Sequence, residues 1–159
     1  RLFDAVSAIA GLCDEQSDEA QAAMLLEAAG GDFADASYEE DDFVVTQESG
    51  LNVLQVTALL QRLFAMRLEG RTPQAISMRF HAAFSAGMAK LAAECFPAGA
   101  TVCLSGGTFL NRFVAADLSR RLRQMGYRTY LPSLLPPGDG AISFGQCAVA
   151  RQRLDAATH

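Results

Sequence analysis

Leu104–Arg112 reads LSGGTFLNR. An apolar run, Thr101-Val102-Cys103-Leu104, stands before it, and after it Phe113, Val114, Leu118 and Leu122 recur at helical spacing. Gly126 then predicts a helix stop, Tyr127 to Leu131 a second strand, a proline-rich loop follows, and residues 140 to 153 predict a further helix. Strand, glycine turn, helix, strand and helix in this order make a β-α-β-α unit, whose two strands pair in parallel through a right-handed crossover. In such sheets ligands sit at the carboxyl ends of the strands. Both SGG (105–107) and PPGDG (136–140) lie there.

Upstream the pattern is mainly helical. Residues 2 to 12 place Leu2, Val6 and Ile9 on one face, and a second helix is expected over 18 to 29, with Ser17 as cap and Gly30-Gly31 as stop. The acidic stretch 32–42 reads as a loop. Phe43 to Thr46 and Leu51 to Val53 predict a hairpin across QESG. Residues 55 to 68 carry an amphipathic pattern ended by Gly70, and Thr72-Pro73 opens a long helix over 73 to 96. Its stripe of Ile76, Phe80, Phe84, Met88 and Leu91 is core, and His81 beside it reads as a satisfied structural histidine.

The composition narrows the function classes. Half of the 159 residues are apolar, enough for one domain with a sizeable core. No apolar run has membrane-spanning length and no signal-peptide pattern opens the chain, so a cytoplasmic setting with no membrane contact is expected. The opening Arg1 suggests a fragment of a longer polypeptide. The four cysteines have no C-x-x-C spacing and are expected to be reduced core residues, and two histidines exclude a complete His-based metal site within the chain. Residues 1–50 hold thirteen acidic side chains against one basic, whereas 51–159 hold twelve basic against five acidic. The acidic run 35–42 reads as a mobile loop. Arg112, Arg120, Arg121, Arg123 and Arg128 are expected to gather near the glycine pair and favour an anion there. Without interleaved aromatics they do not suggest nucleic acid.

Three features have chemical potential. Ser105-Gly106-Gly107-Thr108 can turn backbone amides toward an anion, with the missing Cβ atoms allowing close approach, although a plain tight turn explains the same spacing. Asn111 can hydrogen-bond a base or ribose, or be a solvated polar residue. Asp139 between Gly138 and Gly140 can cap the following helix, or ligate a hard cation at the same sheet edge.

LSGGTFLNR, followed after a helix by GYRTYLPSLLPPGDGAISFGQCAVAR, closely resembles the C-terminal end of the hydrogenase-maturation carbamoyltransferase family HypF. RLFDAVSAIAGLCDEQSDEAQAAMLLEAA at the start and RFHAAFSAGMAKLA in the middle resemble the same family in the same order, so the likeness spans nearly the whole chain. It implies an α/β fold, an actin/sugar-kinase-like (ribonuclease H-like) lobe with a β-α-β-α C-terminal half and additional N-terminal helices. The expected division is a helical segment 1–31, an acidic loop 32–42 and an α/β lobe 43–159, the whole of 1–159 being the second lobe of the carbamoyltransferase domain, which is similar to the tRNA threonylcarbamoyl transferases.

The resemblance further implies transfer of the carbamoyl group of carbamoyl-adenylate, made from ATP, to the C-terminal cysteine of HypE, for the cyanide ligands of nickel-iron hydrogenase. HypE and the remaining domains of the same polypeptide are the implied partners. Gly106 and Gly107 are implied to hold the phosphate side of the nucleotide, Asn111 to contact adenine or ribose, and Asp4 to bond the ribose hydroxyls. Asp139 is implied to complete a divalent metal site (Zn, Fe or Mg) with histidines of the first lobe, and no catalytic residue is assigned within this chain. Members commonly read EGQAA where this chain has Glu19-Ala20-Gln21-Ala22-Ala23, and NDGG where Gly138-Asp139-Gly140-Ala141 stands. A related threonylcarbamoyl or O-carbamoyl transferase lobe, and a docking lobe without catalysis, are the alternatives.

Overall fold

The computed structural model describes residues 1–157. Helices α1 (Leu2–Ile9) and α2 (Gln21–Gly30) are followed by a single 3-10 turn, Glu40–Asp42, and by strands β1 (Val44–Glu48) and β2 (Leu51–Gln55). Helices α3 (Thr57–Leu68) and α4 (Pro73–Cys95) come next. The last third runs β3 (Thr101–Cys103), a 3-10 turn Gly107–Leu110, α5 (Arg112–Gln124), β4 (Arg128–Tyr130), a 3-10 turn Asp139–Ala141 and α6 (Ile142–Ala157). No helix among the described residues is long and apolar enough to cross a membrane.

The predicted β-α-β-α unit forms. β3 and β4 pair in parallel, Thr101 opposite Arg128 and Cys103 opposite Tyr130, with α5 as the crossover. The hairpin also forms: β1 and β2 are antiparallel, and Ser49 (φ +52°) and Gly50 (φ +81°) make the two-residue loop whose twist suits paired strands. Thr72 caps α4, its Oγ1 accepting the Ala75 amide at 3.2 Å, with Pro73 at the first helical position.

The buried side chains gather into two cores. Val6, Leu26, Leu59, Leu63, Ile76 and Phe80 form one core, joining α1 and α2 to α3 and α4. Ala89, Val102, Leu104, Leu118, Leu122 and Tyr127 form a second, where the end of α4 meets the parallel strands and α5. The first two helices therefore complete the same body as α3 and α4. Cysteines depart from expectation: Cys95, Cys103 and Cys147 are exposed and Cys13 is half-buried, all of them free.

Helix α2 starts at Gln21, three residues later than Ser17 as a cap requires. The Gln21 side chain folds back to take the Ser17 amide at 2.9 Å, and Ala20 becomes the N-cap in the left-handed region, φ +60°. At its other end Gly31 takes φ +67°, while Gly30 is needed for space, since a Cβ there would run into the Phe33 ring.

A left-handed alanine is strained by its Cβ, by roughly 1–2 kcal/mol, whereas glycine enters that region freely. Ala20→Gly is therefore expected to stabilise the fold by about 1 kcal/mol in equilibrium denaturation, after the extra chain entropy of glycine is deducted.

Candidate functional site

The two glycine-bearing loops meet, as the sequence predicts. Strand β3 continues through Leu104, whose amide donates to the Tyr130 carbonyl at 2.9 Å. Beyond it the Gly106 amide donates to the Pro137 carbonyl at 2.6 Å, and the Ser105 hydroxyl donates to the same oxygen at 3.1 Å. A Cβ on Gly138 would lie 3.5 Å from the Gly107 Cα, so the loops touch backbone to backbone. Gly106 has φ +105° and ψ 164°, a conformation that glycine alone adopts readily. Nothing lies within 4 Å of where a Cβ would sit on Gly106 or Gly107. The turn 107–110 starts there, so the amides of Gly107 and Thr108 lead it without intrahelical acceptors. This is open, glycine-edged backbone that an anion can approach.

Asn111 is placed differently from expectation. It is 8% exposed and caps α5, with its Oδ1 accepting the Val114 amide at 3.0 Å. Its Nδ2 lies 2.8 Å from His81 Nε2. The side chain thus turns inward, and only its second Nδ2 hydrogen is left for a ligand.

His81, read from the sequence as a structural residue, supports this junction from beneath. It is fully buried among the rings of Phe3, Phe33, Phe80 and Phe113, with centroids 4.9–5.9 Å away. Its Nδ1 lies 2.8 Å from the Ser77 carbonyl, which can only accept, so Nδ1 carries the proton and Nε2 accepts from Asn111. Burial holds His81 below the ordinary histidine range, opposed by the Ser77 carbonyl and by the charge of Glu27. The Ser77 hydroxyl donates to the Leu26 carbonyl, tying α4 to α2.

Glu27 is a residue the sequence did not flag. Its Oε1 accepts the Arg112 amide at 2.9 Å and lies 3.5 Å from Arg112 Nε, so a carboxylate already occupies the N-terminal end of α5. The partners are 85 residues apart, beyond any local spacing rule. The expected arginine cluster also disperses. Arg120 and Arg121 both bond Asp117, Arg121 lies over the Tyr38 ring at 4.9 Å, and both stand toward the far end of α5, about 12 Å along the helix from Arg112.

Asp139 is exposed in the first position of the 3-10 turn that precedes α6, and Gly138, not Asp139, is the cap residue. No group of three His, Cys, Asp or Glu able to hold a metal occurs among the described residues. Asp139 thus stands outside any such group among the described residues. Asp4 lies in α1, 40% exposed, next to Phe3, whose ring meets His81. A groove of about 500 Å³ lined by Tyr38, Phe43, Ala89, Lys90, Arg121 and Met125 sits at the opposite end of α5 from the glycine loops.

Residues 1–146 match the family described as the second subdomain of the Kae1-like domain of carbamoyltransferases. A carbamoyltransferase HypF homolog of Cupriavidus necator is 34% identical over 99% of the chain and 41% of its own length. Carbamoyltransferase HypF of Rhizobium leguminosarum bv. viciae is 38% identical over 96% of the chain and 19% of its own length. A crystal structure of full-length HypF in the phosphate- and nucleotide-bound form superposes with a TM-score of 0.80 at 32% identity, covering 96% of this chain and 20% of that one. The chain thus spans from about a fifth to two fifths of the relatives it matches.

The two glycines are expected to separate in a denaturation experiment. Gly106→Ala destabilises by about 1–2 kcal/mol because of its φ, whereas Gly107→Ala, which meets open space, changes stability by less than about 0.5 kcal/mol.

Proposed function

The chain belongs to the HypF carbamoyltransferase family, and on that premise we propose that it is the second, nucleotide-binding lobe of the carbamoyl-transfer domain, with an actin/sugar-kinase-like fold and a cytoplasmic setting. The observation that carries this reading is the backbone junction of the two loops, with open space over Gly106 and Gly107. The phosphate side of ATP or carbamoyl-adenylate lies on those glycines, against the leading amides of Gly107 and Thr108. Asn111 offers its second Nδ2 hydrogen to ribose or base, and Asp4 meets the ribose hydroxyls. Asp139 gives one ligand to a divalent metal whose other donors come from the rest of the polypeptide. That metal, when bound, neutralises phosphate charge.

In the proposed reaction the thiolate of the C-terminal HypE cysteine attacks the carbamoyl carbon. A carbon–sulfur bond forms, the bond to the phosphate oxygen breaks, and AMP leaves with the electron pair. The nucleophile is the partner's, and the contribution of this lobe is to hold the nucleotide in place and set backbone dipoles where charge collects on the departing phosphate. Helix α6 fits the role of a lobe within a larger body. Ile142, Phe144, Val149 and Leu154 on it are 50–70% exposed, and we assign them to the contact with the remaining domains of the polypeptide.

The test uses the full-length protein and follows carbamoylation of the HypE cysteine by mass spectrometry. Asp139→Ala and Gly107→Arg are each expected to lower the transfer rate by at least about a hundredfold with the fold retained. Transfer equal to wild type in both variants would reduce this lobe to docking. Transfer to a tRNA or a small hydroxyl acceptor in place of the cysteine would move it to a related transferase.

A further inference from the structure

We propose that His81 is a positioning residue, whose Nε2 acceptor holds Asn111 and through it the Gly106–Leu110 turn in the shape that receives the nucleotide. The inference rests on the nucleotide reading above and deepens it. Its basis is a directional chain with both ends fixed: the Val114 amide donates to Asn111 Oδ1, Asn111 Nδ2 donates to His81 Nε2, and His81 Nδ1 donates to the Ser77 carbonyl. Neither end can reverse, since the amide only donates and the carbonyl only accepts. One tautomer of His81 and one orientation of Asn111 therefore satisfy the whole chain.

A proton on Nε2 breaks it. Donor then faces donor at Asn111, and the amide can relieve the clash only by turning over, which sets its NH₂ against the Val114 amide and uncaps α5. The charged groups around the ring are few. Glu27 on α2 and Arg112 on α5 are paired with each other and Asp4 on α1 adjoins Phe3, while the uncharged neighbours are Asn111, the Ser77 carbonyl and hydroxyl, the latter 3.2 Å from Nδ1, and the aromatic rings. With the folded-state value below the ordinary one of about 6.5, the ring stays neutral above that pH and charges only as the pH falls beneath it. The consequence runs in one direction: the junction holds its shape at neutral pH and loses it in acid.

The experiment titrates ATP into the full-length protein carrying wild-type His81, His81→Gln or His81→Phe, at about pH 8 and then at falling pH down to the acid limit of folding. Gln keeps an acceptor and cannot charge, whereas Phe keeps ring volume and has no acceptor. At the higher pH, His81→Phe is expected to weaken binding about tenfold and His81→Gln less than about threefold. Once the pH has fallen far enough to charge His81, wild type is expected to lose at least about threefold more affinity than His81→Gln, a ratio from which the protonation of ATP itself cancels. Wild-type affinity in folded His81→Phe would overturn the proposal, and profiles of wild type and His81→Gln that stay identical down to the acid limit of folding would overturn its pH dependence. The pH comparison stands even where His81→Phe fails to fold.

Amide hydrogen exchange separates this proposal from the nucleotide reading. Exchange at Val114 accelerates in His81→Phe and not in His81→Gln if His81 positions Asn111, and unchanged exchange at Val114 refutes positioning. Should wild type itself not bind ATP, the nucleotide reading fails and with it the receiving role of His81, while the exchange result still decides whether His81 shapes the turn.

Discussion

Both hydrophobic cores share one helix, and the molecule depends on how closely other elements can approach it. Helix α4 buries Ile76, Phe80, Ala83 and Ala86 in the first core and Ala89 in the second. Its run of small residues, Ala82, Ala83, Ala86, Gly87 and Ala89, lets backbones come near. At Gly87 the limit is measurable: an added Cβ would lie 3.0 Å from Leu54 Cδ1 and 3.2 Å from the Phe43 ring, so the hairpin rests directly on the helix at that point. Larger residues on this face would push the hairpin, α2 or α5 outward, and packed interiors yield little to such insertion. His81 lies on this same shared helix. Its link to Asn111 joins the helical first core to the turn above the second.

The charge asymmetry of the sequence turns out to be internal adhesive in part. Asp42, at the end of the acidic run, is fully buried and accepts from Arg79 Nη2 at 2.8 Å, with Arg62 Nε at 3.2 Å. It also takes the Glu39 amide at 2.8 Å. A buried carboxylate is tolerated only with this degree of compensation, and removing either arginine leaves a charge in the interior. Arg62 comes from α3 and Arg79 from α4, so the acidic tract is pinned by the basic part of the same chain. The end of the acidic run 35–42, the 3-10 turn Glu40–Asp42, is held in place by these pairs. Composition counts charges but does not say which will find one another across 20 to 40 residues.

What was legible in the sequence was local. Thr72-Pro73, the hairpin at QESG and the strand-glycine-helix succession that starts at Thr101 each have a chemistry that acts over a few residues, and each appears in the expected stretch, with β1 running two residues further than Thr46. The misplaced boundaries have equally local causes. Asn111 caps α5, and the residues between it and Gly106 form a 3-10 turn. Gln21 takes the Ser17 amide, and α2 begins late. At the candidate site the glycines could be read because no side chain has to find a partner for a glycine to work. The distant partners of Asn111, Glu27 and His81 could not be read, since they lie 30 to 85 residues away.

On the proposed reading the nucleotide cradle is one wall of a shared site. Anions bind well at a helix N-terminus when its amides and dipole are free. At α5 they are engaged: Asn111 takes the Val114 amide, and the Glu27 carboxylate takes the amide of Arg112 and faces its guanidinium. Arg120 and Arg121 are neutralised by Asp117. What remains for a phosphate is the short turn at Gly107 and Thr108, which supplies donors and no full positive charge. A leaving phosphate of an acyl-adenylate needs more than that. On the proposed reading the missing charge comes from the metal that Asp139 shares with the rest of the polypeptide. The open face over Gly106 and Gly107 and the uncovered apolar side chains of α6 then follow from one cause, a lobe whose opposite wall is built by other residues of the same protein.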